Sequence, residues 1–278
     1  MRGYGEVMTE GALDVKIRRN HERVELARLT KTLTDVRLAL AEIDHVYILR
    51  GRRPRWVVDA VRDGKDYLLV RLGVSFTPRR DMQSLLLPAS ALVSGVASLD
   101  RVPEVPQYYS ASTVERLVKI GEPGQGVAEV SLAMVNGQVG DYVAVSEPVR
   151  QHAQEAVRGT ETSLGSIAGW LDQMNARRAG KGLLVVGLYD ALTRRAVTGH
   201  IPAAMEQEVQ KLWRHRVLAH GWVTRNGRGQ PIRISIERFE LLPEDDSERA
   251  SVDELLGIDP HWIGDQSVDE YVQGARRA

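Results

Sequence analysis

The chain has 278 residues, enough for two domains that each bury a core. Its 43% hydrophobic and 27% charged residues are the proportions of an ordinary soluble protein, and the absence of cysteine excludes disulfides and thiolate metal sites. The net charge of zero is unevenly spread: residues 164–243 carry twelve Lys and Arg against six Asp and Glu, whereas residues 244–278 carry three against ten. A basic module followed by an acidic tail is a signal about partners. No apolar run approaches a membrane span, residues 1–10 are too polar for a signal peptide, and a cysteine-free chain suits a reducing cytoplasm, so the expected location is cytoplasmic.

Residues 14–19 alternate, with Val15 and Ile17 on one face, and predict a strand. Asn20 is placed to cap a helix in which Leu26, Leu29, Leu33, Val36, Leu40 and Ile43 recur at spacings of three and four, with Arg28, Lys31, Asp35, Arg37 and Glu42 on the surface. This repeat is shorter than the three or four heptads of a coiled coil, so the helix is expected to pack on its own sheet. Strands are expected at 45–49, 56–61 and 67–72, the last two joined by a two-residue turn at Asp63-Gly64. Residues 82–99 read as a helix interrupted near Pro88, and residues 112–120 as another. A second strand pair, 127–135 and 142–145, surrounds Asn136-Gly137, and Pro148 sits in the first turn of a helix to residue 158. The polar stretch 159–163 is the expected boundary of this first α+β domain, residues 1–158.

Residues 164–243 organise the rest. Strands are expected at 166–173, 183–189, 196–201, 216–224 and 231–241, with a helix starting at Pro202 and burying Met205, Val209 and Leu212. Three strands, a helix and two strands is the order of the oligonucleotide/oligosaccharide-binding (OB) barrel. Val217, Ala219, Gly221 and Val223 share one face, as do Ile232, Ile234 and Ile236, and these fill the barrel interior.

The opposite parity defines a candidate surface: Ser166, Ala168, Trp170 and Asp172 on the first strand, and Arg216, Leu218, His220, Trp222 and Thr224 on the fourth. Trp170 and Trp222 near Arg216 would make a stacking platform for bases. The two long hairpin tips add Arg177, Arg178 and Lys181 in one loop and Arg225 and Arg228 in the other, beside glycines that let a phosphate approach the backbone. The competing reading is that hairpin tips are simply solvated and that both tryptophans are covered by the helix at 149–158 or by the first domain.

Two stretches carry a resemblance. Tyr189-Asp190, Thr193 to Val197 and the strand through Arg216-Val217-Leu218 resemble uncharacterised bacterial proteins with an OB-like module. The segments Leu255 to Pro260 and Ser267 to Val272 resemble C-terminal segments of small bacterial antitoxins. The resemblance implies a bacterial regulatory or toxin–antitoxin-associated protein. The tail also carries Leu255, Leu256, Ile258, Trp262, Ile263 and Tyr271, too apolar for a segment left in water, and Ser251 and Ser267 are placed to cap two helices. Those six residues are the candidate protein-partner surface.

Among motifs for chemistry, phosphate-binding loops, Gly-x-Gly-x-x-Gly, His-Glu-x-x-His and Gly-x-Ser-x-Gly are all missing. His215 and His220 lie on opposite faces of one strand and do not share a metal easily. The expectation is therefore a non-enzymatic α+β protein without cofactor or metal: an α+β domain, a five-stranded OB-like barrel at 164–243 and an acidic helical tail at 244–278. Its barrel would bind single-stranded nucleic acid and its tail would modulate or recruit. The alternative is an antitoxin-type module that binds and inhibits a protein through the tail.

Overall fold

The computed structural model describes residues 11–47, 53–75, 81–175, 183–190 and 193–243. The expected tail helices and the candidate residues Leu255, Leu256, Ile258, Trp262, Ile263 and Tyr271 lie outside the described residues, as do Arg177, Arg178 and Lys181. What is described is mixed α+β, with five α-helices among the described residues.

β1 (Ala12–Arg19), β2 (Arg55–Asp63), β3 (Tyr67–Ser75), β4 (Val127–Asn136), β5 (Gln138–Val139) and β6 (Val143–Ala144) form one sheet in the order β2-β3-β1-β4-β5, with β6 also on β4. All of these pairings are antiparallel. Alternation on β1 sends Leu13, Val15 and Ile17 into one core with the helices. On the other face Asp14 is fully buried yet paired, accepting two bonds from Arg71 at 2.7 and 2.8 Å and one from Tyr142 at 3.2 Å. Lys16 lies between the rings of Tyr67 and Tyr142, 5.0 and 4.9 Å from their centroids.

Four helices complete this half: α1 (Leu26–Tyr47), α2 (Met82–Arg101), α3 (Ala111–Gly121) and α4 (Glu147–Ala156). The expected stripe of α1 faces the core from Leu29 to Ile43, but the buried face is wider than the stripe. Leu26 is 78% exposed, while Arg28 and Asp35, expected on the surface, are buried. The reason is that α1 packs against α3 and α2 as well as into the core shared with the sheet. Arg28 donates to the carbonyls of Lys119 and Ile120 at 3.3 and 3.0 Å and to that of Glu122, satisfying the orphan C-terminal acceptors of α3. Asn20 does not cap α1: its side chain accepts from the Glu22 N–H in a local turn, and the helix starts six residues later. The strand expected at 45–49 is, through Tyr47, the last turn of α1.

Nor does Pro88 interrupt α2, which runs through it from an Asp81 cap; the one ladder bond a proline removes is tolerated where its ring is buried. By length and composition α2 could cross a membrane, but half of that stretch is buried inside the protein, with Leu85, Leu92, Val96 and Leu99 fully enclosed. The β2–β3 tip spans Gly64 to Asp66 rather than two residues, tied by Arg19 to Gly64 and Asp63.

The second half is a closed barrel of β7 (Glu161–Asn175), β8 (Leu183–Asp190), β9 (Arg195–Pro202), β10 (Arg216–Arg225) and β11 (Pro231–Leu241). Around the barrel the order is β7-β8-β9-β11-β10 and back to β7, with β9 and β11 parallel and the other pairs antiparallel. The expected break at 159–163 is mostly strand: β7 already pairs with β10 at Glu161, and Thr162 and Thr224 hydroxyls meet at 3.1 Å. Val217, Ala219, Val223, Ile234 and Ile236 fill the interior, as their parity predicts. Gly199 also points inward, where a Cβ would come within 2.6 Å of Val186 and 2.7 Å of Ile236. A 3-10 turn (Ala203–Met205) and α5 (Glu206–Lys211) follow β9, and Val209 buries against one end of the barrel core. Ile232, near the other end, belongs to the first core, so the two halves share apolar packing and the chain up to Leu242 is one compact unit.

Candidate functional site

Strands β7, β10 and β11 present their outward residues as cross-strand rows, because directly paired residues share a face. The first row is Thr162, Thr224 and Arg233; the second Leu164, Trp222 and Ser235; the third Ser166, His220 and Arg238. Trp222 is 45% exposed and Leu164 beside it 65%, a wet aromatic–aliphatic pair with an exposed arginine in the row on either side. Arg233 and Arg238 had not been singled out from the sequence. Arg233 alternates with Ile232 and Ile234 and was recoverable from parity. Arg238 falls on this face only because the pairing slips by one residue between His220 and Gly221.

In the third row the Ser166 hydroxyl and His220 Nδ1 lie 2.7 Å apart, and His220 Nε2 lies 3.4 Å from Glu240. The residue types are those of a hydrolytic triad. Acyl transfer also needs N–H donors converging beside the nucleophile; along Glu161–Gly169 β7 is paired with β10 alone, so alternate N–H groups there face an edge with no strand beside it among the described residues.

The remaining expected residues are spread out. Trp170 pairs with Arg216 on β10 and with Tyr189 on β8, and both Trp170 and Arg216 are half-buried. Arg216 and Trp222 are separated by six residues of one strand, about 20 Å at a strand's rise, so Trp170 and Trp222 do not make one platform. Arg225 is half-buried and reaches back towards Gly165; Arg228 is exposed at the β10–β11 tip.

That tip is fastened rather than free. Asn226 is buried, donates to the Ala156 carbonyl at 2.9 Å, and accepts from the Arg228 and Gln230 N–H groups at 3.0 Å each. Gln230 in turn accepts from the Val105 N–H at 2.9 Å. The tip of β8–β9 is held by the same loop of the first half. Tyr108 N–H donates to Arg194 O at 2.6 Å, Ala196 N–H to Tyr109 O at 3.2 Å, and Arg195 Nε to Val105 O at 2.8 Å.

A buried polar cluster lies at the same junction. β7 has a bulge between Leu171 and Gln173, so Asp172 has no partner on β8, and its carboxyl comes close to Gly187 where a side chain would sit. Asp172 is 7% exposed, and its Oδ2 accepts no hydrogen bond. His45 from α1 donates from Nε2 to the Asp172 carbonyl at 2.9 Å while Nδ1 accepts from Arg53 at 2.6 Å, which fixes a neutral imidazole. The 3.6 Å approach of Nε2 to the Asp172 carboxyl is therefore a polar contact and not an ion pair. Burial pushes the Asp172 carboxyl up to about 7, and burial together with Arg53 pushes His45 down. Burial also raises the Tyr189 phenol, with Tyr108 adding to it. Sequence parity placed Asp172 on the outward face; its bulge turns it to the junction, and no local signal marks that bulge.

No protein-family description matches this chain, and neither curated proteins nor solved structures yield a match.

Proposed function

We propose that the barrel is an OB-type module and that single-stranded nucleic acid lies across the outer face of β7, β10 and β11, bound without chemistry being done on it. The half-exposed Trp222, with Leu164 beside it and Arg233 and Arg238 in the flanking rows, carries the reading. A base stacked on an aromatic ring gains about 1–3 kcal/mol, and arginines one row away meet the adjoining phosphates. The strand order, with a parallel pair between third and fifth strands and a helix between third and fourth, supports the OB assignment. OB modules commonly bind on the second and third strands; here the β8–β9 tip and the β10–β11 tip are occupied by the loop at residues 105–109 and by α4, which favours the other face. Residues 244–278, acidic and apolar, act as the modulating or recruiting segment.

Fluorescence anisotropy of a labelled oligothymidine over a salt series tests this in the full chain. Binding is expected to weaken steeply with salt, and Trp222→Ala is expected to cost about tenfold or more in affinity with its circular dichroism unchanged. Unchanged affinity in Trp222→Ala, or no binding at low salt, refutes the reading.

A further inference from the structure

β2 ends the first sheet, so one of its edges has no strand beside it among the described residues. Three large apolar residues on this one strand are exposed: Val57 at 41%, Val58 at 57% and Val61 at 59%. Val58 pairs with Leu72 and Val61 with Val70, both buried core residues, so Val58 and Val61 stand on the helix-covered face of the sheet, beyond the helices. Val57, Ala60 and Arg62 pair with Gly73, Arg71 and Leu69 on the other face, and Asp59, the extra residue of a bulge, lies on that face over Gly73. From Trp56 to Asp63 the faces thus run helix, outer, helix, outer, outer, helix, outer, helix.

An antiparallel neighbour must place residues of like face opposite each other. The double outer step at Asp59 and Ala60 makes this demanding, because a regular strand would fall out of phase there. A second β2 in antiparallel orientation meets it when the twofold axis passes between Asp59 and Ala60, and shifting by one or two residues breaks it. In that register Val58 lies opposite the second copy's Val61, twice, which extends the apolar face across the seam. Asp59 lies opposite the second copy's Ala60 and diagonal to its Arg62, again twice, so the charges on the outer face alternate in sign across the axis. We infer that β2 is a self-association edge, and that a second copy of this chain pairs along it antiparallel. Bulges and charges at a sheet edge ordinarily discourage pairing; here they select a single partner, since another strand with a regular pleat matches neither the step nor the signs.

The edge alone buries little area, so the dimer is concentration-dependent, dissociating in roughly the micromolar range. Sedimentation of the full chain is expected to move from the 30.9 kDa monomer towards twice that mass as concentration rises. Val58→Lys with Val61→Lys, both at exposed positions, is expected to remain monomeric with unchanged circular dichroism. The native chain has no cysteine, which allows a test of register: Val58→Cys with Val61→Cys is expected to form a covalent dimer on mild oxidation, whereas each single variant does not. A wild-type chain that stays monomeric at high concentration overturns the inference. So does a dimer that persists in the Lys pair, or a Cys pair that crosslinks no better than the single variants.

Discussion

Replacing Asp172 with Asn removes a carboxyl of the junction that burial holds in its neutral form up to about pH 7. Relative to an ordinary value of 3.8, a folded value of about 7 corresponds to about 4 kcal/mol of differential interaction at 25 °C. The folded state binds this proton more tightly than the unfolded chain does. Its contribution is therefore complete below pH 3.8, is lost progressively as pH rises to about 7, and is gone above that. Asn keeps the shape and does not titrate. The stability of Asp172→Asn relative to the native chain should thus climb by about 3 kcal/mol between pH 5 and pH 8, somewhat less if water enters the junction when the carboxylate forms. His45 works in the opposite direction. Its lowered value means its contribution is lost as pH falls below about 6.5, and because it is present in both proteins it largely drops out of the difference. Urea unfolding followed by tryptophan fluorescence at pH 5, 6, 7 and 8 gives the comparison. A difference that is flat with pH refutes the assignment of a buried, neutral carboxyl.

Two further substitutions probe the contacts that fix the architecture. Asn226→Ala removes the bond to the Ala156 carbonyl and leaves the Arg228 and Gln230 N–H groups without their acceptor, so a loss of about 2–4 kcal/mol is expected in thermal or urea unfolding. Arg28→Met keeps the aliphatic stem but strips the C-terminal acceptors of α3 of a charged donor; a loss of about 2–3 kcal/mol is expected, with faster amide exchange confined to the end of α3.

The barrel was the most legible part because two independent patterns agree there. Period-two alternation in β10 and β11 fixes which residues point inward, and Pro202 and the Asn226–Gly229 turn punctuate the strands where the structure does. The first half was less legible because charge misled. Arg28 and Asp35 look like surface residues until α3 supplies carbonyls for one and Arg116 pairs with the other, and both partners are some eighty to ninety positions away. Similarly, Thr162 and Ser163 look like linker because their strand partner, β10, follows some sixty residues later. Asn226 at a polar hairpin tip reads as solvated, yet it is among the most buried polar residues described. In each case the missing information is a long-range partner and not a local propensity.

The same partners limit where the ligand proposed for the barrel can lie. One barrel end is covered by α5 through Val209, and the other shares Ile232 with the first core. The β8–β9 edge of the surface is held by the loop at residues 105–109, and the bulged end of β7 by His45 and Arg53 around Asp172. Among the described residues, nothing gives such cover to the outer residues of β7, β10 and β11 in the rows from Thr162 to Ser166, and there a tryptophan stays 45% exposed although tryptophan burial is worth several kcal/mol to a fold. At that exposure Trp222 forgoes part of its burial energy, with exposed arginines one row to either side. In the function proposed above, its ring is the surface on which a base of a negatively charged polymer laid across the strands would stack.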